Sequence, residues 1–571
     1  DYIHFNIMLE KSPTINKSFG YMTLERMGSR YPSRLSFSRS MLRRMKQERW
    51  VVDRVKFDLD KVGYGTAIYE INTPNQIYSV VCFSQFIPDE ERSDRVIAEK
   101  WDTTYAMHIG KISAKDLDRL KKNTPLQEAG RNSPSELVLS RGNKSVRLFK
   151  KIVNCLSIGQ QPTIEEINDV GYLLRTTAVY GSGKFGLSDF DRTRSATHFD
   201  QPFRAEMLAV YIIREFSIHL VEHIAYHQNP SQAVKLDASI KRHIGIGNST
   251  GLGMAPFIIK HPKLIHKWMS QFDKALNEIT KIKHIDERKL NKLSSLLKKS
   301  KSYLDEVLTT DDYQKTKNKK SFYELDKIID YCKSIKTSDL KDTRWNDIIK
   351  YSEANLSFDA QEIVKVQIIE LFPEIADPLA ENMSESDDLF IDPSATVNQL
   401  INIIENRYQW SIDTDFQDKN NTYLFWYVSE EKLEPRLGER YNEQGAELEQ
   451  HLGIGKMVSE LYHFLKENSA ETKNLTIAKF LLIHPEYRGI IRRIQTLTNY
   501  PFGEVSDNIL AKNTLPLNML RFKLSFFGAS RYDPKSDRWL RVSFFAGAPF
   551  YEELNSQNVE DWGFATMNSY Q

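Results

Sequence analysis

The sequence predicts a multidomain α+β protein with β-rich N- and C-terminal regions around a mainly helical middle. Three stretches carry this prediction. Residues 50–87 alternate apolar runs with turn-rich breaks, residues 204–227 form the strongest helical stretch, and residues 520–550 return to β-type composition. With 571 residues and 40% hydrophobic content, the chain can bury a large core without disulfides or a metal.

Charge and cysteine content disfavour several classes of protein. The chain has 78 basic and 76 acidic residues, a net charge of +2, which gives no global argument for nucleic-acid or membrane binding. Cys82, Cys155 and Cys332 are far apart and odd in number, so neither a disulfide framework nor a CxxC metal site is available. No apolar run reaches the ~18 residues of a membrane span. We therefore expect a cytoplasmic protein without a membrane partner.

The first segment, residues 1–110, is the N-terminal β-rich region. WVVDRVKFDLD, GTAIYEI and IYSVVCFSQFI are separated by the turn-rich KVGYG and NTPNQ, which predicts a meander. Before this meander, residues 26–49 hold seven arginines and one acidic residue, Glu48, with Glu25 just ahead. The favoured interpretation is interdomain or subunit ion pairing, and a phosphate or nucleic-acid patch is the alternative.

Residues 111–280 form the central helical region, with helices predicted over 204–227 and over PFIIKHPKLIHKWMSQFDKALNEITKI. The segment 281–380 is rich in lysine, with leucines at helical spacing, and predicts a solvated helical bundle. The last segment, 381–571, is predicted to be α+β. It begins with an acidic linker over 381–395 and ends in a hairpin in which strands LRFKLSFFGAS and RWLRVSFFAGAPF flank the loop RYDPKSD. Whether the two β-rich ends share a sheet is left open.

The helix over 204–227 contains HLVEHIAYH, which places histidines at i, i+4 and i+8. At ~100° per residue, one ~140° sector contains Glu215, His219, Glu222, His223 and His227. A helix that is apolar all round is normally buried, and buried titratable groups need partners. We therefore expect this face to be either the wall of a site or an internal hydrogen-bond network.

A metal site is the second interpretation of the same face. His219 and His227 are ~12 Å apart along the helix and cannot bind one ion, so the pair would be either His219 with His223 or His223 with His227. His219-Leu-Val-Glu222-His223 resembles H-x-x-E-H, the inverted zinc-protease signature, over five residues. The resemblance implies a divalent metal at His219 and His223, with Glu222 as ligand or base.

Two glycine-rich stretches bracket this helix, and both are predicted to bind an anion. Residues 242–257 hold four glycines before a helix, and glycine lets backbone N–H groups approach a ligand. The substrate-binding candidates here are Arg242, His243, Asn248, Ser249 and Thr250. A nucleophile elbow at 247–251 and a close crossing of two packed elements are the alternatives. The other stretch, 181–194, supplies Lys184, Arg192 and Arg194.

The leading hypothesis is a soluble enzyme that acts on a small anionic metabolite bearing a carboxylate or a phosphate. His223 and Glu222, with His219, would perform acid–base chemistry near neutral pH. The first alternative is a metal-dependent hydrolase that uses the H-x-x-E-H residues. The second is a non-catalytic scaffold or nucleic-acid-binding protein, although a nucleic-acid partner is disfavoured. The cofactor, with a divalent metal as one option, and a homo-oligomeric state are left open.

Overall fold

A computed structural model gives the fold of the chain. It describes residues 26, 28–88, 101–125, 133–177, 198–199, 203–251, 262–306, 312–381, 391–418, 426–429, 435–437, 449–451, 454–499, 516–536 and 539–554.

The main feature is a nine-stranded sheet that joins both ends of the chain. Its strands are β1 Val51–Leu59, β2 Gly65–Asn72, β3 Ile77–Ser84, β4 Thr103–Ile109, β5 Glu136–Lys144, β6 Tyr172–Thr176, β7 Gly245–Gly251, β11 Ala529–Ser536 and β12 Trp539–Phe544. The spatial order is β1-β2-β3-β4-β5-β6-β7-β12-β11, and every neighbouring pair is antiparallel except β6 and β7. A smaller sheet has the order β10-β8-β9 and contains β8 Trp426–Ser429, β9 Pro435–Leu437 and β10 Glu449–His451.

Helices cover the sheet and form a second layer beside it. The α-helices are α1 Phe37–Gln47, α2 Ala114–Asn123, α3 Phe149–Ser157, α4 Ile164–Asn168, α5 Arg204–Gln228, α6 Ala238–Lys241, α7 Pro262–Thr280, α8 Glu287–Glu306, α9 Asp312–Ser334, α10 Trp345–Asn355, α11 Phe358–Glu370, α12 Pro373–Glu381, α13 Val397–Arg407, α14 Gln409–Ile412, α15 Ile454–Glu467, α16 Ser469–Thr472, α17 Ile477–Ile483, α18 Arg488–Asn499 and α19 Pro516–Phe527. The 3₁₀ turns are Thr337–Asp339, Pro485–Tyr487 and Tyr551–Glu553.

The chain is therefore α+β, and its two β-rich ends belong to one sheet. The predicted N-terminal meander is confirmed as β1, β2 and β3. The link between the ends is β7, which pairs with β6 on one side and with β12 on the other. The sheet thus takes strands from three of the four predicted segments, so these segments share one core. The acidic stretch predicted as a linker begins at the end of α12, and most of it lies outside the described residues.

The C-terminal hairpin is formed by other residues than predicted. The stretch LRFKLSFF was expected to be a strand, but it forms most of α19, and RYDPKSD was expected to be a loop, but it lies mostly in β11. The reason is burial: apolar side chains at 520, 522, 524, 526 and 527 are all buried, so a two-residue alternation does not separate strand from buried helix there.

Helix α5 confirms the helix predicted over 204–227 and lies against the sheet at its centre. Its 25 residues span ~37 Å, and 18 of them are buried. Ala67, Tyr69 and Ile71 of β2 belong to the same core as the apolar side chains of α5. The opposite face of the sheet packs on α2 through Leu120.

The lysine-rich segment is helical, as predicted, and has a hydrophobic core of its own. Its buried residues run from Phe272 to Ala380, with Tyr31 and Leu35 added from the N-terminal segment. Helix α7 belongs to both cores, because Leu264, Ile265, Trp268 and Met269 pack in the first and Phe272, Ala275 and Ile279 in the second. The two cores are thus continuous through one helix.

The N-terminal arginines form ion pairs with this helical segment. Arg34 donates two hydrogen bonds of 2.8 Å to Asp377, and Arg39 binds Glu370 through two contacts. Arg30 lies 3.3 Å from Glu362 and is 1% exposed. The structure therefore supports the interpretation as interdomain ion pairing, because these guanidinium groups are buried against carboxylates of α11 and α12. Among the described residues, no helix is long and apolar enough to cross a membrane.

Candidate functional site

The polar face of α5 opens on a cleft of about 580 Å³. Helix α5 contributes Glu215, Ile218, His219, Glu222, His223 and Tyr226. The other lining residues are Val52, Arg54, Phe57, Tyr69, Ala233, Val234, Lys235, Leu236, Lys241, Phe550, Tyr551 and Glu552. The volume is in the range of small-molecule sites, and eight of the 18 described lining residues are charged residues or histidines.

A β-bulge in the edge strand β1 determines which side chains reach the cleft. Arg54 pairs with Tyr69 and Lys56 pairs with Ile68, so Val55 is an extra residue without a partner of its own. If Val55 were paired like its neighbours, the alternation of a regular strand would place Arg54 and Lys56 on one face and Phe57 on the other. The bulge instead puts Arg54 and Phe57 on the face of the sheet that meets α5.

Glu215 lies in the cleft, where the C-terminal 3₁₀ turn meets α5. Its carboxyl group accepts a hydrogen bond of 2.8 Å from the backbone N–H of Tyr551. Burial raises the pKa of Glu215 from 4.5 to about 7, although this hydrogen bond and the charges of Arg214 and Lys241 act in the opposite direction. A carboxyl group with this pKa exchanges its proton near neutral pH, which is the property of a general acid or base.

His219 lies one helical turn further along and contacts the sheet. Its Nδ1 is 2.8 Å from the hydroxyl oxygen of Tyr69, and the two rings are parallel with centroids 5.9 Å apart. Burial lowers the pKa of His219 from 6.5 to about 4, so the ring is neutral at pH 7. When Tyr69 donates its hydroxyl proton to Nδ1, the ring proton is on Nε2, and Nε2–H is then a hydrogen-bond donor.

Glu222 and His223 also line the cleft but are held by backbone groups. Glu222 accepts a hydrogen bond of 3.1 Å from the N–H of Leu236, and burial raises its pKa above the usual 4.5. His223 Nε2 lies 2.8 Å from the carbonyl oxygen of Asp60. His227 contacts the ring of His223 at a centroid distance of 4.5 Å and is exposed. The helical wheel predicted that these side chains share one polar face. The structure confirms this for the four that line the cleft, which are Glu215, His219, Glu222 and His223.

Three cations and three carboxyl groups of the described residues line the cleft: Arg54, Lys235 and Lys241 with Glu215, Glu222 and Glu552. Burial is the largest cause of the lowered pKa of His219. The charges of Arg54, Lys241 and Lys235 also lower this pKa, whereas the charge of Glu552 raises it. Lys241 forms an ion pair with Glu552, so these two opposite charges offset each other. Among the described residues, no carboxylate forms an ion pair with Arg54 or Lys235. Both side chains are exposed at the cleft.

The stretch 242–257 was predicted to be a glycine-rich turn, but residues 245–251 form strand β7. The glycines allow close packing: a Cβ at Gly247 would overlap the ring of Tyr172, and one at Gly245 would overlap Ser543. This close packing is between neighbouring strands of one sheet, because Tyr172 lies on β6 and Ser543 on β12, whereas the alternative predicted a close crossing of two elements. Residues 252–261 lie outside the described residues.

Three of the five substrate-binding candidates on this stretch have described side chains, and these contact other parts of the fold. Asn248 is 2% exposed, and its amide donates to the carbonyl oxygen of Thr176. Arg242 pairs with Glu553 at 3.7 Å, and His243 is buried. Ser249 and Thr250 pair with Arg541 and Leu540 in the sheet ladder. Arg242, His243 and Asn248 are not among the described residues that line the cleft, and the side chains of Ser249 and Thr250 lie outside the described part of the structure. Lys184, Arg192 and Arg194 lie outside the described residues.

The geometry gives no support to the metal interpretation of H-x-x-E-H. Among the described residues, no group of three or more His, Cys, Asp or Glu side chains is arranged to hold a metal ion. His219 is directed to Tyr69 and His223 to the Asp60 carbonyl, on different partners. The five-residue signature therefore reflects helical spacing along one polar face.

Sequence reasoning missed several lining residues. Glu215 was detectable, because it shares the helical sector of the histidines, but it was not chosen as the acid–base group. Arg54 and Phe57 gave no usable signal, since the bulge that aligns them is invisible in an alternating pattern. Lys235, Lys241 and Tyr551 come from a loop, a short helix and a distant turn that only the fold brings together.

The fold and cleft define an α+β protein with a polar, partly buried cleft between the sheet edge and a central helix. Comparison with protein-family models, curated proteins and solved structures finds no match to this chain.

Proposed function

We propose that this chain is an enzyme that binds a small carboxylate- or phosphate-bearing molecule in the cleft and transfers a proton through Glu215. The observation that supports it most directly is the position of Glu215. A carboxyl group with a pKa near 7 lines the same cleft as two cations without a carboxylate partner among the described residues. Perturbed titratable groups beside convergent polar groups are typical of active sites.

Each polar residue has a chemical role in this proposal. Arg54 and Lys235 attract the anionic group of the substrate. Glu215 takes a proton when it is ionised and gives one when it is protonated, so both directions are accessible at neutral pH. His219 stays neutral and offers a hydrogen-bond donor to a developing negative charge on the substrate. Glu222 and His223, the other catalytic candidates, flank this centre on the same face of α5.

The first test is binding. We expect inorganic phosphate, small carboxylates or simple phosphate monoesters to raise the melting temperature of the wild type, since a ligand at 100 times its Kd stabilises by about 2.7 kcal/mol. Arg54→Ala combined with Lys235→Ala should abolish this stabilisation. Lys56→Ala is the matched control, because Lys56 lies on the same strand and, beyond the bulge, on the opposite face. Equal stabilisation of both variants would contradict the anion site.

The second test is turnover of a compound that binds. Glu215→Gln keeps the acceptor for the Tyr551 N–H but cannot exchange a proton. We expect a loss of kcat of about 10²- to 10⁴-fold, and we expect the break near pH 7 in the kcat/KM profile to disappear. Glu287→Gln, an exposed glutamate outside the cleft, is the control. Full activity of Glu215→Gln with an unchanged pH profile would refute the role of Glu215.

A further inference from the structure

The aromatic content of the cleft narrows the class of substrate, on the basis of the proposed function. Five aromatic rings line it: Phe57, Tyr69, Tyr226, Phe550 and Tyr551. They come from β1, β2, α5 and the C-terminal turn, so rings face the cleft from the sheet edge, from the central helix and from the far end. A small polar anion alone would not need this apolar surface.

The rings differ in how much of their surface is already covered. Phe550 is 1% exposed, and its ring lies under Arg214 at 3.7 Å and near Lys241 at 5.0 Å. Tyr69 is parallel to the His219 ring. Tyr226, by contrast, is 55% exposed at the mouth of the cleft. Phe57 is partly buried and its ring already contacts Arg54, His219 and His223, so Tyr226 offers the larger free ring surface to a guest.

Arg54 is positioned to bind an anionic group beside these rings. Its guanidinium lies 4.6 Å from the centroid of Phe57, a cation–π contact that orients the group without using a carboxylate. A guanidinium presents several N–H donors in one plane, which matches the two oxygens of a carboxylate. The bulge at Val55 is what places this cation and this ring next to each other on one face.

We infer that the guest of the cleft is an aromatic carboxylate, whose ring packs between Phe57 and Tyr226 while its carboxylate binds Arg54. Offset or edge-to-face ring contacts favour an aromatic guest over a saturated ring of equal size. The expected preference is about 3- to 10-fold in Kd, which is the fold-change that one such ring contact provides. The cleft volume suits a molecule of this size.

The test compares three probes by isothermal titration with the full chain: benzoate, cyclohexanecarboxylate and acetate. The wild type should bind benzoate at least threefold more tightly than cyclohexanecarboxylate, and acetate most weakly. The double variant Phe57→Leu/Tyr226→Leu should lose the preference for benzoate but keep an affinity for carboxylates. Arg54→Ala should weaken benzoate and cyclohexanecarboxylate about equally, by tenfold or more.

Matched controls separate the cleft from its surroundings. Phe86→Leu removes an exposed ring outside the cleft, and Lys56→Ala removes a cation on the same strand, so both should bind the probes like the wild type.

The outcomes distinguish this inference from the proposed function. Equal affinity for benzoate and cyclohexanecarboxylate, both weakened by Arg54→Ala, overturns the aromatic class and leaves the anion-binding cleft intact. Binding of inorganic phosphate without binding of any carboxylate does the same. Failure of all carboxylates and phosphates to bind at millimolar concentration overturns both proposals.

Discussion

Glu215 and His219 make opposite contributions to the pH dependence of stability, and separating them gives the sharpest test of the cleft. The pKa of Glu215 is raised by burial from 4.5 to about 7, so folding stabilises its protonated form. This contribution is fully present below pH 4.5 and is lost as the pH rises through 7. The pKa of His219 is lowered by burial from 6.5 to about 4, so its contribution is present above pH 6.5 and is lost as the pH falls through 4.

The two effects are similar in size. Each change in proton affinity corresponds to about 3 kcal/mol, at about 1.4 kcal/mol per tenfold change. Between pH 4.5 and 6.5, folding adds about one proton at Glu215 and excludes about one at His219, so their slopes cancel. The wild type should therefore show little pH dependence from this pair, although both groups are strongly perturbed.

In the variant Glu215→Gln the two effects no longer cancel, so the free energy of unfolding should depend on pH. Gln cannot ionise, so the free energy of unfolding of the variant, relative to the wild type, should rise by about 3 kcal/mol from pH 4.5 to 8. His219→Asn, which keeps an acceptor near the position of Nδ1, should gain relative to the wild type as the pH falls from 6.5 to 4. Urea titrations at steps of half a pH unit measure both differences, and Glu287→Gln is the control. A difference between Glu215→Gln and wild type that is constant over this range would refute the burial argument.

Two further predictions concern the sheet and the ion pairs. Gly247→Ala should destabilise the fold by about 1–3 kcal/mol, because its Cβ would overlap the ring of Tyr172. The control Gly489→Ala should not destabilise the fold, because a Cβ there meets nothing within 4 Å. Equal melting temperatures of the two variants would contradict the packing role of β7. Asp377→Asn should cost about 3 kcal/mol at pH 7. Burial disfavours the charge of Asp377, but hydrogen bonds from Arg34 and the charges of Arg43 and Arg34 lower its pKa. This stabilisation is therefore lost as the pH falls below about 4, and the variant should then approach the wild type. Asp312→Asn, whose side chain is 94% exposed, is the control, and a loss equal to that of Asp377→Asn would reject the buried ion pair.

Predictions from the sequence were correct where local patterns of apolar and turn residues decided the structure. The meander over β1–β3 and the helix α5 follow from turn residues and from continuous apolar character, and both are confirmed. The polar sector of α5 was also predictable, because helix geometry alone places Glu215, His219, Glu222 and His223 on one side. The buried helix α19 was mistaken for a strand, since its apolar residues stand at every second position while Arg521 and Ser525 between them are buried as well.

Glycine content was the weaker signal. Four glycines before a helix were predicted to form an anion-binding turn, but close approach of Tyr172 and Ser543 requires small residues in strand β7. A glycine allows both a ligand and a packed side chain to approach, so composition cannot tell one from the other. The answer depends on residues more than 70 and nearly 300 positions away, which the local sequence does not contain.

The sequence by itself determined a long buried helix with one polar face and a chain able to form an α+β core. Tertiary structure decided what that face meets. A single unpaired residue, Val55, turns Arg54 and Phe57 toward α5, and the turn over Tyr551–Glu553 closes the end of the cleft on Glu215. Burial then makes Glu215, rather than His219, the group that titrates near neutral pH. The physical reason is desolvation, which depends on all the atoms around a side chain and is not encoded in its neighbours along the chain.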